Sequence, residues 1–267
     1  MAQSAPHRFS QRMQTALYYA RKKNRERRKS GGITPPIPWT PLDLGAKLLG
    51  WWDAEDATTL TMAGSAVSEW RDKVHGLAAM QATSSFRPIY QSAGINGRPA
   101  LLFDASDDRL ETTTNPLLVG AAPGEMWGLV NQAALGSETA NRGIIFLGNT
   151  ATGIRLLARV GSGGVNRAGL FVTPVPSSPL IADPVVDFSG VKVGRLICTS
   201  TLSTIQGSRT TSTSVSAVPT TANTLVRLGR GSSATWSGSI NTILATALLT
   251  LEESDKLYVF LNTRGGI

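Results

Sequence analysis

Acidic side chains fall into short groups in this sequence, and the most closely spaced group contains Asp104, Asp107 and Asp108. Carboxylates at this spacing could bind Ca²⁺, a hard cation that takes about six to eight oxygen ligands. The same residues could instead build a turn, because Asp side chains accept hydrogen bonds from nearby backbone N–H groups. We favour the turn, so that no cofactor is expected, and keep calcium at these three residues as the alternative.

The other acidic residues lack the spacing that glycoside hydrolysis requires. That reaction usually needs two carboxylates about 5–10 Å apart, and side chains on one face of a strand occupy alternating positions. The acidic pairs here are immediate neighbours, so on a strand their members would point to opposite faces. They are Glu55 with Asp56, Asp107 with Asp108, and Glu252 with Glu253. We therefore predict no catalytic residues and a chain that is not an enzyme.

The residues of a nucleophile–base pair are scarce. The two histidines are His7, in the N-terminal segment, and His75, in a turn signal. The single cysteine, Cys198, lies in a strand-like apolar run, where a buried structural role is expected. One cysteine forms neither an intramolecular disulfide nor a thiolate metal site, and it is consistent with assembly in a reducing cytoplasm.

Six tryptophans are many for an aromatic content of 6%, and Trp51 and Trp52 are adjacent in a predicted strand. Successive side chains of a strand point to opposite faces, so one of the two must point outward. An outward tryptophan could stack on a sugar, which makes Trp51 and Trp52 the candidate glycan contacts. Core or interface packing is the commoner role of such large aromatic side chains.

The net charge of +8 belongs to one segment. Of 26 basic and 18 acidic residues, nine and one lie in residues 1–30, which leaves 17 of each elsewhere. Apolar residues at helical spacing in residues 7–29 predict an amphipathic helix that ends in cations. An apolar stripe with a basic end favours docking into a protein groove, with nucleic-acid contact or a solvated tail as alternatives. The predicted anchoring residues are Phe9, Met13, Leu17, Arg21, Lys22, Lys23, Arg25, Arg27, Arg28 and Lys29.

Glycines and prolines in residues 31–40 predict a linker, and residues 41–267 then form one domain. Short apolar runs separated by turn signals predict an all-β sandwich. A capping box, Thr250 to Glu253, begins a short C-terminal helix that Gly265 closes. No run approaches the roughly 20 apolar residues of a membrane span. The predicted strands are Leu48–Asp53, Ala100–Phe103, Met126–Val130, Gly143–Leu147, Ile154–Val160, Ala168–Val172, Val191–Thr199, Ser203–Gln206, Leu225–Leu228 and Ser239–Leu244.

Several phrases of this domain occur in the order and spacing of a known family. The most distinctive read Leu-Leu-Gly-Trp-Trp-Asp-Ala-Glu-Asp from Leu48 and Gly-Ile-Asn-Gly-Arg-Pro-Ala-Leu-Leu-Phe-Asp from Gly94. The others are Val67 to Lys73, Asp107 to Leu110, Leu228-Gly229, Trp236 to Ile240, the helix at Leu249–Leu261 and Arg264 to Ile267. With these phrases, residues 42–267 resemble the concanavalin A-like (laminin-G-like) jelly-roll domains of bacteriophage structural proteins. An acid of the family phrase is missing after Ile240, where Asn241 and Thr242 follow.

The resemblance implies a two-sheet antiparallel jelly-roll sandwich and a non-enzymatic structural protein of a phage virion, as a decoration, fibre, collar or tail-spike module. The arm would anchor it to capsid, collar or tail proteins, and the sandwich would project outward within a homo-oligomer. Assembly would take place in the bacterial cytoplasm, away from membranes. The alternatives are a host-recognition adhesin that binds surface glycans, a polysaccharide depolymerase, and an internal virion protein associated with nucleic acid.

Overall fold

The structure is a computed structural model, and it describes residues 38–114, 117, 123–132, 141–148, 153–160, 166–173, 181–183, 190–199, 203–207, 211–215, 225–230 and 235–267. Thr40–Ile267 forms one compact unit. The predicted anchoring arm of residues 1–30 and most of the predicted linker lie outside the described residues. The division into arm, linker and domain therefore stays a prediction.

Strands dominate this unit because apolar and β-branched residues alternate with small polar ones, and Gly, Asn and Asp supply the turns. The described residues contain seventeen antiparallel strands, one α-helix and three 3-10 helices. The strands are β1 (Leu48–Asp53), β2 (Leu60–Ala63), β3 (Ala66–Arg71), β4 (Ala78–Met80), β5 (Ile89–Ile95), β6 (Arg98–Asp104), β7 (Leu110–Glu111), β8 (Gly124–Gln132), β9 (Asn141–Gly148), β10 (Gly153–Val160), β11 (Asn166–Thr173), β12 (Ile181–Asp183), β13 (Gly190–Cys198), β14 (Ser203–Gly207), β15 (Thr211–Val215), β16 (Leu225–Leu228) and β17 (Ser237–Thr246). The helix is α1 (Leu251–Gly265), and the 3-10 helices are Pro41–Lys47, Ala57–Thr59 and Ser84–Phe86.

Strand pairing forms two ladders. In the first, β17 pairs with β1 and β6 along one edge and with β8 along the other, and β13, β14 and β15 follow. In the second, β2, β3, β4, β7, β16, β9, β10, β11 and β12 pair in that order. Strand β5 joins the ladders, because it pairs with β6 and makes a bridge with β3. We call the first the helix ladder and the second the charged ladder, after what lies on their outer faces.

Side chains of both ladders contribute to one apolar core. Trp52 and Met126 come from the helix ladder, and Trp70 and Leu228 come from the charged ladder. Burying a large apolar side chain stabilises a fold by about 1.5–3 kcal/mol relative to leaving it exposed. Cys198 is buried in the same core, which confirms its predicted location.

Helix α1 covers part of the outer face of the helix ladder, where it packs on β13. It begins at the predicted capping box: Thr250 Oγ1 accepts from the Glu253 N–H at 3.3 Å, and Glu253 Oε2 accepts from the Thr250 N–H at 2.8 Å. Gly266 caps its C-terminus with a φ of 69°, a left-handed conformation that favours glycine. Leu257 and Leu261 on its inner side are completely buried.

The all-β class and the C-terminal helix are confirmed, and the ten predicted strands are present: β1 and β16 have the predicted ends, and the other eight have ends shifted by one or two residues. Strands β2, β3, β4, β5, β7 and β12 were not predicted, whereas β15 lies in the Ser/Thr-rich run from Thr199 to Thr224, whose alternation with Leu, Ile and Val predicts exposed strands and a hairpin. The unpredicted strands are short or polar; three of the four residues of β2 are exposed, so the strand has no apolar run. The jelly-roll strand order stays a prediction.

In the described part of the chain, no helix is long and apolar enough to cross a membrane.

Candidate functional site

Charged side chains from both ends of the domain meet at the edge of the helix ladder. Asp53, at the end of β1, accepts two hydrogen bonds from Arg264, in the last turn of α1, at 2.7 Å and 3.2 Å. Lys73 Nζ lies 2.9 Å from Asp56 Oδ2 and 3.4 Å from Asp53 Oδ2. The first family phrase, which begins at Leu48, and the last, Arg264 to Ile267, are therefore joined by this ion pair.

Glu55 connects these charged residues to Arg98, which lies in the family phrase that begins at Gly94. Arg98 Nη1 donates to Glu55 Oε2 at 3.0 Å, and Arg264 Nε lies 3.5 Å from Glu55 Oε1. We call Asp53, Glu55, Asp56, Lys73, Arg98 and Arg264 the ion-pair network. Its three acids and three bases balance, and Asp53 is 1% exposed. Each of the three carboxylates is paired with a cation, so the ion-pair network stabilises the fold.

A second buried ion pair lies between the helix ladder and α1. Glu125 accepts from Arg195 Nε at 3.0 Å and Nη2 at 2.9 Å, from the Trp127 indole N–H at 3.0 Å and from the Leu249 backbone N–H at 3.0 Å. Arg195 also donates to Ser254 Oγ of α1 at 2.9 Å and stacks over the Trp127 ring at 4.6 Å. Four donors satisfy the Glu125 carboxylate, which fixes the start of α1 against the sheet.

The structure corrects the expectation that Trp51 or Trp52 points outward. Trp52 is 0% exposed in the core, and Trp51 is 3% exposed although it lies on the opposite face of β1. That face is covered, because Phe260 of α1 contacts the Trp51 ring edge-on at 6.1 Å and Lys73 Nζ lies 4.2 Å above it. Neither ring therefore presents a face on which a sugar could stack.

The structure brings together the three candidate calcium ligands. The carboxylate oxygens of Asp104, Asp107 and Asp108 lie within 4.8 Å of one another. Asp104 Oδ1 accepts from the Ser106 N–H at 2.8 Å, and Asp108 Oδ2 accepts from the Asp104 N–H at 2.9 Å. These hydrogen bonds build the turn that the sequence favours, and we call residues 104–108 the Asp turn. Calcium binding there stays a prediction.

The Asp turn holds an unusually basic carboxylate. Burial raises the pKa of Asp108 to about 6, although the hydrogen bond from the Asp104 N–H acts to lower it. The negative charges of Asp104 and Asp107 act in the same direction as burial, because they oppose a third charge beside them. Asp108 is thus partly protonated just below neutral pH.

Polar side chains line the outer face of the charged ladder. Side chains alternate across a sheet, and register partners share a face. The inward row, buried in the core, is Trp70, Ala79, Leu110 and Leu228. The adjacent outward row is Glu69, Met80, Glu111 and Arg227.

Arginines surround the acid at the centre of this outward row. Arg227 Nε donates to Glu111 Oε1 at 2.7 Å, and Arg109 Nε lies 3.0 Å from the same oxygen. Arg109 also lies over the Phe86 ring at 4.5 Å. Arg230 lies two residues after the end of β16 and forms a β-bridge with Thr235. We call Arg109, Arg227 and Arg230, with Glu111 between them, the arginine cluster.

Arg230 is the member of this cluster that forms no ion pair with any described residue. Burial lowers the pKa of its guanidinium below the ordinary value, and the like charges of Arg109 and Arg227 lower it further, whereas Glu111 and Asp107 act in the opposite direction. Arg109 Nη1 donates to the Asp107 carbonyl at 3.0 Å, so the cluster lies beside the Asp turn.

Sequence reasoning missed the arginine cluster. The sequence Leu225-Val226-Arg227-Leu228 alternates apolar and polar residues, a signal that could have placed Arg227 on an outer face. The meeting of Arg227 with Arg109 depends on the pairing of β16 with the two-residue strand β7, for which the sequence has no signal. His75 lies in the expected turn, with Nδ1 3.7 Å from Asp72 Oδ2.

Comparison with known proteins supports the fold. No protein-family model and no curated protein matches the chain. An arabinofuranosidase complexed with arabinofuranosyl-α-1,2-xylobiose matches 75% of this chain at a TM-score of 0.52 and 12% identity. A GH54 α-L-arabinofuranosidase soaked with a cyclic sulfate inhibitor matches the same share at a TM-score of 0.52 and 8% identity. This chain spans 50% of the length of each of these enzymes.

A third solved structure matches over nearly its whole length. It is domain 4 of a GH43 extracellular arabinanase from Geobacillus stearothermophilus, in complex with arabinotriose. The TM-score is 0.54 at 12% identity, and the match covers 79% of this chain and 98% of that domain. At this identity the likeness shows the fold alone.

These structures correct one prediction. The chain was expected not to be an enzyme, but arabinofuranosidases and part of an arabinanase have this fold. The spacing of acids along strands was a poor guide, because carboxylates from distant strands, such as Asp53 and Glu111, are positioned by pairing rather than by spacing in sequence. A glycosidase activity is therefore compatible with the fold.

Proposed function

We propose that Thr40–Ile267 is a carbohydrate-binding domain of the concanavalin A-like jelly-roll type, in which the helix ladder and the charged ladder form the two sheets. The observation that carries this proposal is the match to domain 4 of the arabinanase, whose structure was determined with arabinotriose and which this chain covers over 98% of its length. The arabinofuranosidase complexed with arabinofuranosyl-α-1,2-xylobiose supports the same class of ligand.

We assign the sugar to the outer face of the charged ladder. On the helix ladder, α1 and the ion-pair network occupy the face on which Trp51 is buried. On the charged ladder, the apolar side chain of Met80 is 44% exposed. Arg109 and Glu111 add hydrogen-bonding groups beside this apolar surface, a combination that is typical of small-molecule sites.

We propose as a second function that the chain is a structural component of a bacteriophage particle, on which it displays this domain. The order of the family phrases supports the proposal, as does the charge distribution, with +8 in residues 1–30 and 17 basic and 17 acidic residues in the remainder. In this arrangement the arm docks on a capsid, collar or tail protein, and the domain meets polysaccharide on the host surface.

Carbohydrate binding is tested with the full chain by affinity electrophoresis and titration calorimetry. The panel contains linear arabinan, arabinoxylan, polygalacturonate and hyaluronate, with bovine serum albumin as the control protein. We expect retardation by at least one polysaccharide, and a reducing-end assay on the same samples shows whether that polysaccharide is also cleaved. Unchanged mobility and no heat of binding across the panel would contradict the proposal.

The virion role is tested by a pull-down from purified particles and lysate. The full chain is compared with a variant that lacks residues 1–30. We expect the full chain to capture a capsid, collar or tail protein that the shortened chain does not capture. Capture of nucleic acid alone, or equal capture by both chains, would contradict anchoring through the arm.

A further inference from the structure

An exposed methionine lies between two acidic residues on the outer face of the charged ladder. Met80 of β4 is the register partner of Glu69 in β3 on one side and of Glu111 in β7 on the other. Register partners on one face have Cβ atoms about 4.5–5.5 Å apart, so each acid is an immediate neighbour of Met80. The exposed centre of this row is therefore apolar, and a carboxylate lies on each side of it.

Arginines hold the Glu111 carboxylate in place. Arg227 Nε donates to Glu111 Oε1 at 2.7 Å, and Arg109 Nε lies 3.0 Å from the same oxygen. Arg109 is itself fixed, because its guanidinium lies 4.5 Å from the centre of the Phe86 ring and donates to the Asp107 carbonyl at 3.0 Å. A ligand that binds Glu111 therefore meets a group that is already ordered, which reduces the entropic cost of binding.

The second oxygen of Glu111 is available to a ligand. Both arginines contact Oε1, whereas Oε2 accepts no hydrogen bond from any residue in the described part of the chain. The Glu111 side chain is 30% exposed, so a ligand can reach it. An ionised carboxylate accepts hydrogen bonds and donates none, so this position favours a hydroxyl group. A carboxylate of the ligand at the same position would be repelled, because like charges oppose each other.

The charges around this row balance. Glu111 and the Asp turn are connected through Arg109, and the Arg87 side chain donates to the carbonyl of Gln81, directly after Met80. Among the described residues of this region, the carboxylates belong to Glu69, Asp104, Asp107, Asp108 and Glu111, and the guanidinium groups to Arg71, Arg87, Arg109, Arg227 and Arg230. Equal numbers of the two charges give this face no excess charge that would attract an anionic polysaccharide.

From these observations we propose that Met80 and Glu111 bind a neutral saccharide. The C–H face of a sugar ring packs on the Met80 side chain, and a hydroxyl group at the edge of the same ring donates to Glu111 Oε2. This inference rests on the proposed carbohydrate-binding function and deepens it, because it names the substrate class as a neutral rather than a carboxylated saccharide.

Affinity electrophoresis and titration calorimetry of the full chain compare neutral with acidic polysaccharides. The neutral probes are linear arabinan and arabinoxylan, and the acidic probes are polygalacturonate and hyaluronate. The titrations are made at 0.3 M NaCl, because salt weakens the attraction between polyanions and the basic residues 1–30.

Two variants remove the proposed contacts, and each has a matched control. Met80→Ala removes the apolar contact, and Met62→Ala makes the same change at another methionine of the charged ladder that is also 44% exposed. Glu111→Gln removes the charge of the acceptor, and Glu252→Gln makes the same change at an exposed acid of α1. Near-UV circular dichroism establishes that each variant is folded.

We expect one of the neutral polysaccharides to bind at least about tenfold more tightly than either acidic one. Met80→Ala should weaken this binding about fivefold, because the sugar loses an apolar contact. Glu111→Gln should weaken it about tenfold, because a hydrogen bond to a charged group is stronger than one to a neutral amide. Met62→Ala and Glu252→Gln should change the affinity by no more than about twofold.

Three results would overturn the inference. If a neutral polysaccharide binds and either Met80→Ala or Glu111→Gln leaves its affinity as unchanged as the controls do, the carbohydrate-binding function stands and the site is wrong. If an acidic polysaccharide binds as tightly as the neutral ones or more tightly, the function stands and the substrate class is wrong. If no polysaccharide binds, both the inference and the proposed function fail.

Discussion

The two ladders use charged residues in opposite ways. On the helix ladder, Asp53 is buried with Arg264 and Glu125 with Arg195, and helix α1 closes over both pairs. On the charged ladder, Arg109 and Arg227 share one carboxylate, and Arg230 has no acidic partner among the described residues. Paired charges under a helix hold a structure together, whereas polar groups at an uncovered surface are available to a ligand.

This difference separates stability from recognition. Substitutions in the ion-pair network or at Glu125 should lower the stability and leave the affinity of the folded protein for saccharides unchanged. Substitutions of exposed residues on the outer face of the charged ladder, such as Met80, should lower that affinity and leave the stability unchanged. If a single substitution strongly lowers both the stability and the affinity for saccharides, stability and recognition do not depend on separate residues.

The largest expected effect is the loss of Arg264. Asp53 would then remain buried with Lys73, 3.4 Å away, as its cation. Removing one partner of a buried ion pair costs about 3–5 kcal/mol, and at the lower value the Tm falls by about 6–12 °C for a domain of this size. Scanning calorimetry of Arg264→Ala measures the change.

The matched control for this substitution is Lys256→Ala, because Lys256 forms an exposed ion pair with Glu252 on the same helix at 2.8 Å. Its Tm should not differ measurably from that of the parent chain, since exposed pairs contribute little. Equal shifts for Arg264→Ala and Lys256→Ala would show that the ion-pair network is not structural.

Glu125→Gln should have the second-largest effect. The amide can keep some of the four hydrogen bonds but loses the charge that pairs with Arg195. Hydrogen bonds to charged groups contribute about 2 kcal/mol, so we expect a decrease of about 4–8 °C in Tm. Urea unfolding at constant slope checks the free energy, and Glu252→Gln on the exposed side of α1 is the control. If the urea midpoint of Glu125→Gln moves no more than that of Glu252→Gln, Glu125 does not stabilise the fold.

Asp108→Asn should raise the stability at pH 7.5. The folded-state pKa of about 6 lies above the ordinary value of 3.8, so ionised Asp108 destabilises the fold above pH 6. This destabilisation diminishes as the pH falls from 7.5 through 6 toward 4. We expect a gain of about 2–4 °C in Tm at pH 7.5, equivalent to about 1 kcal/mol.

For Asp108→Asn, melting curves at pH 7.5, 6 and 4.5 check the sign. The difference between the variant and the parent chain should narrow steadily over this series. A difference that is constant with pH would mean that the ionisation of Asp108 is not its cause.

Arg230→Gln should have the smallest effect on stability. Substitutions outside the core usually change the free energy by no more than about 0.5 kcal/mol, and removing a charge beside Arg109 and Arg227 relieves repulsion. We expect the Tm to stay within about 2 °C of the parent value, with Arg71→Gln as the control. A decrease comparable to that of Glu125→Gln would place Arg230 among the structural residues.

Local signals in the sequence predicted much of the fold. Strands β1 and β16 have the predicted ends, because apolar runs bounded by turn residues define them. The capping box of Thr250 and Glu253 is present because its two hydrogen bonds lie within one turn of chain. The Asp turn was predictable for the same reason, since its partners are close in sequence.

Contacts between distant residues were not predictable in this way. Both Asp53 and Arg264 were noted in family phrases, but their ion pair joins residues 211 positions apart and depends on the packing of α1. Strand alternation correctly put Trp51 and Trp52 on opposite faces of β1. It does not show that α1 covers the face that carries Trp51. The arginine cluster depends on the register of β7 with β16, which is fixed by the whole sheet.

Hydrogen–deuterium exchange of the full chain, with and without a saturating concentration of a polysaccharide that retards it in affinity electrophoresis, tests whether the charged ladder is the recognition face. We predict slower exchange in Leu110–Glu111, in Leu225–Leu228 and in residues 104–108. Exchange in Leu48–Asp53 and Leu251–Gly265 should not change. Protection confined to those two helix-ladder segments, with none in the charged ladder, would show that the charged ladder is not the recognition face.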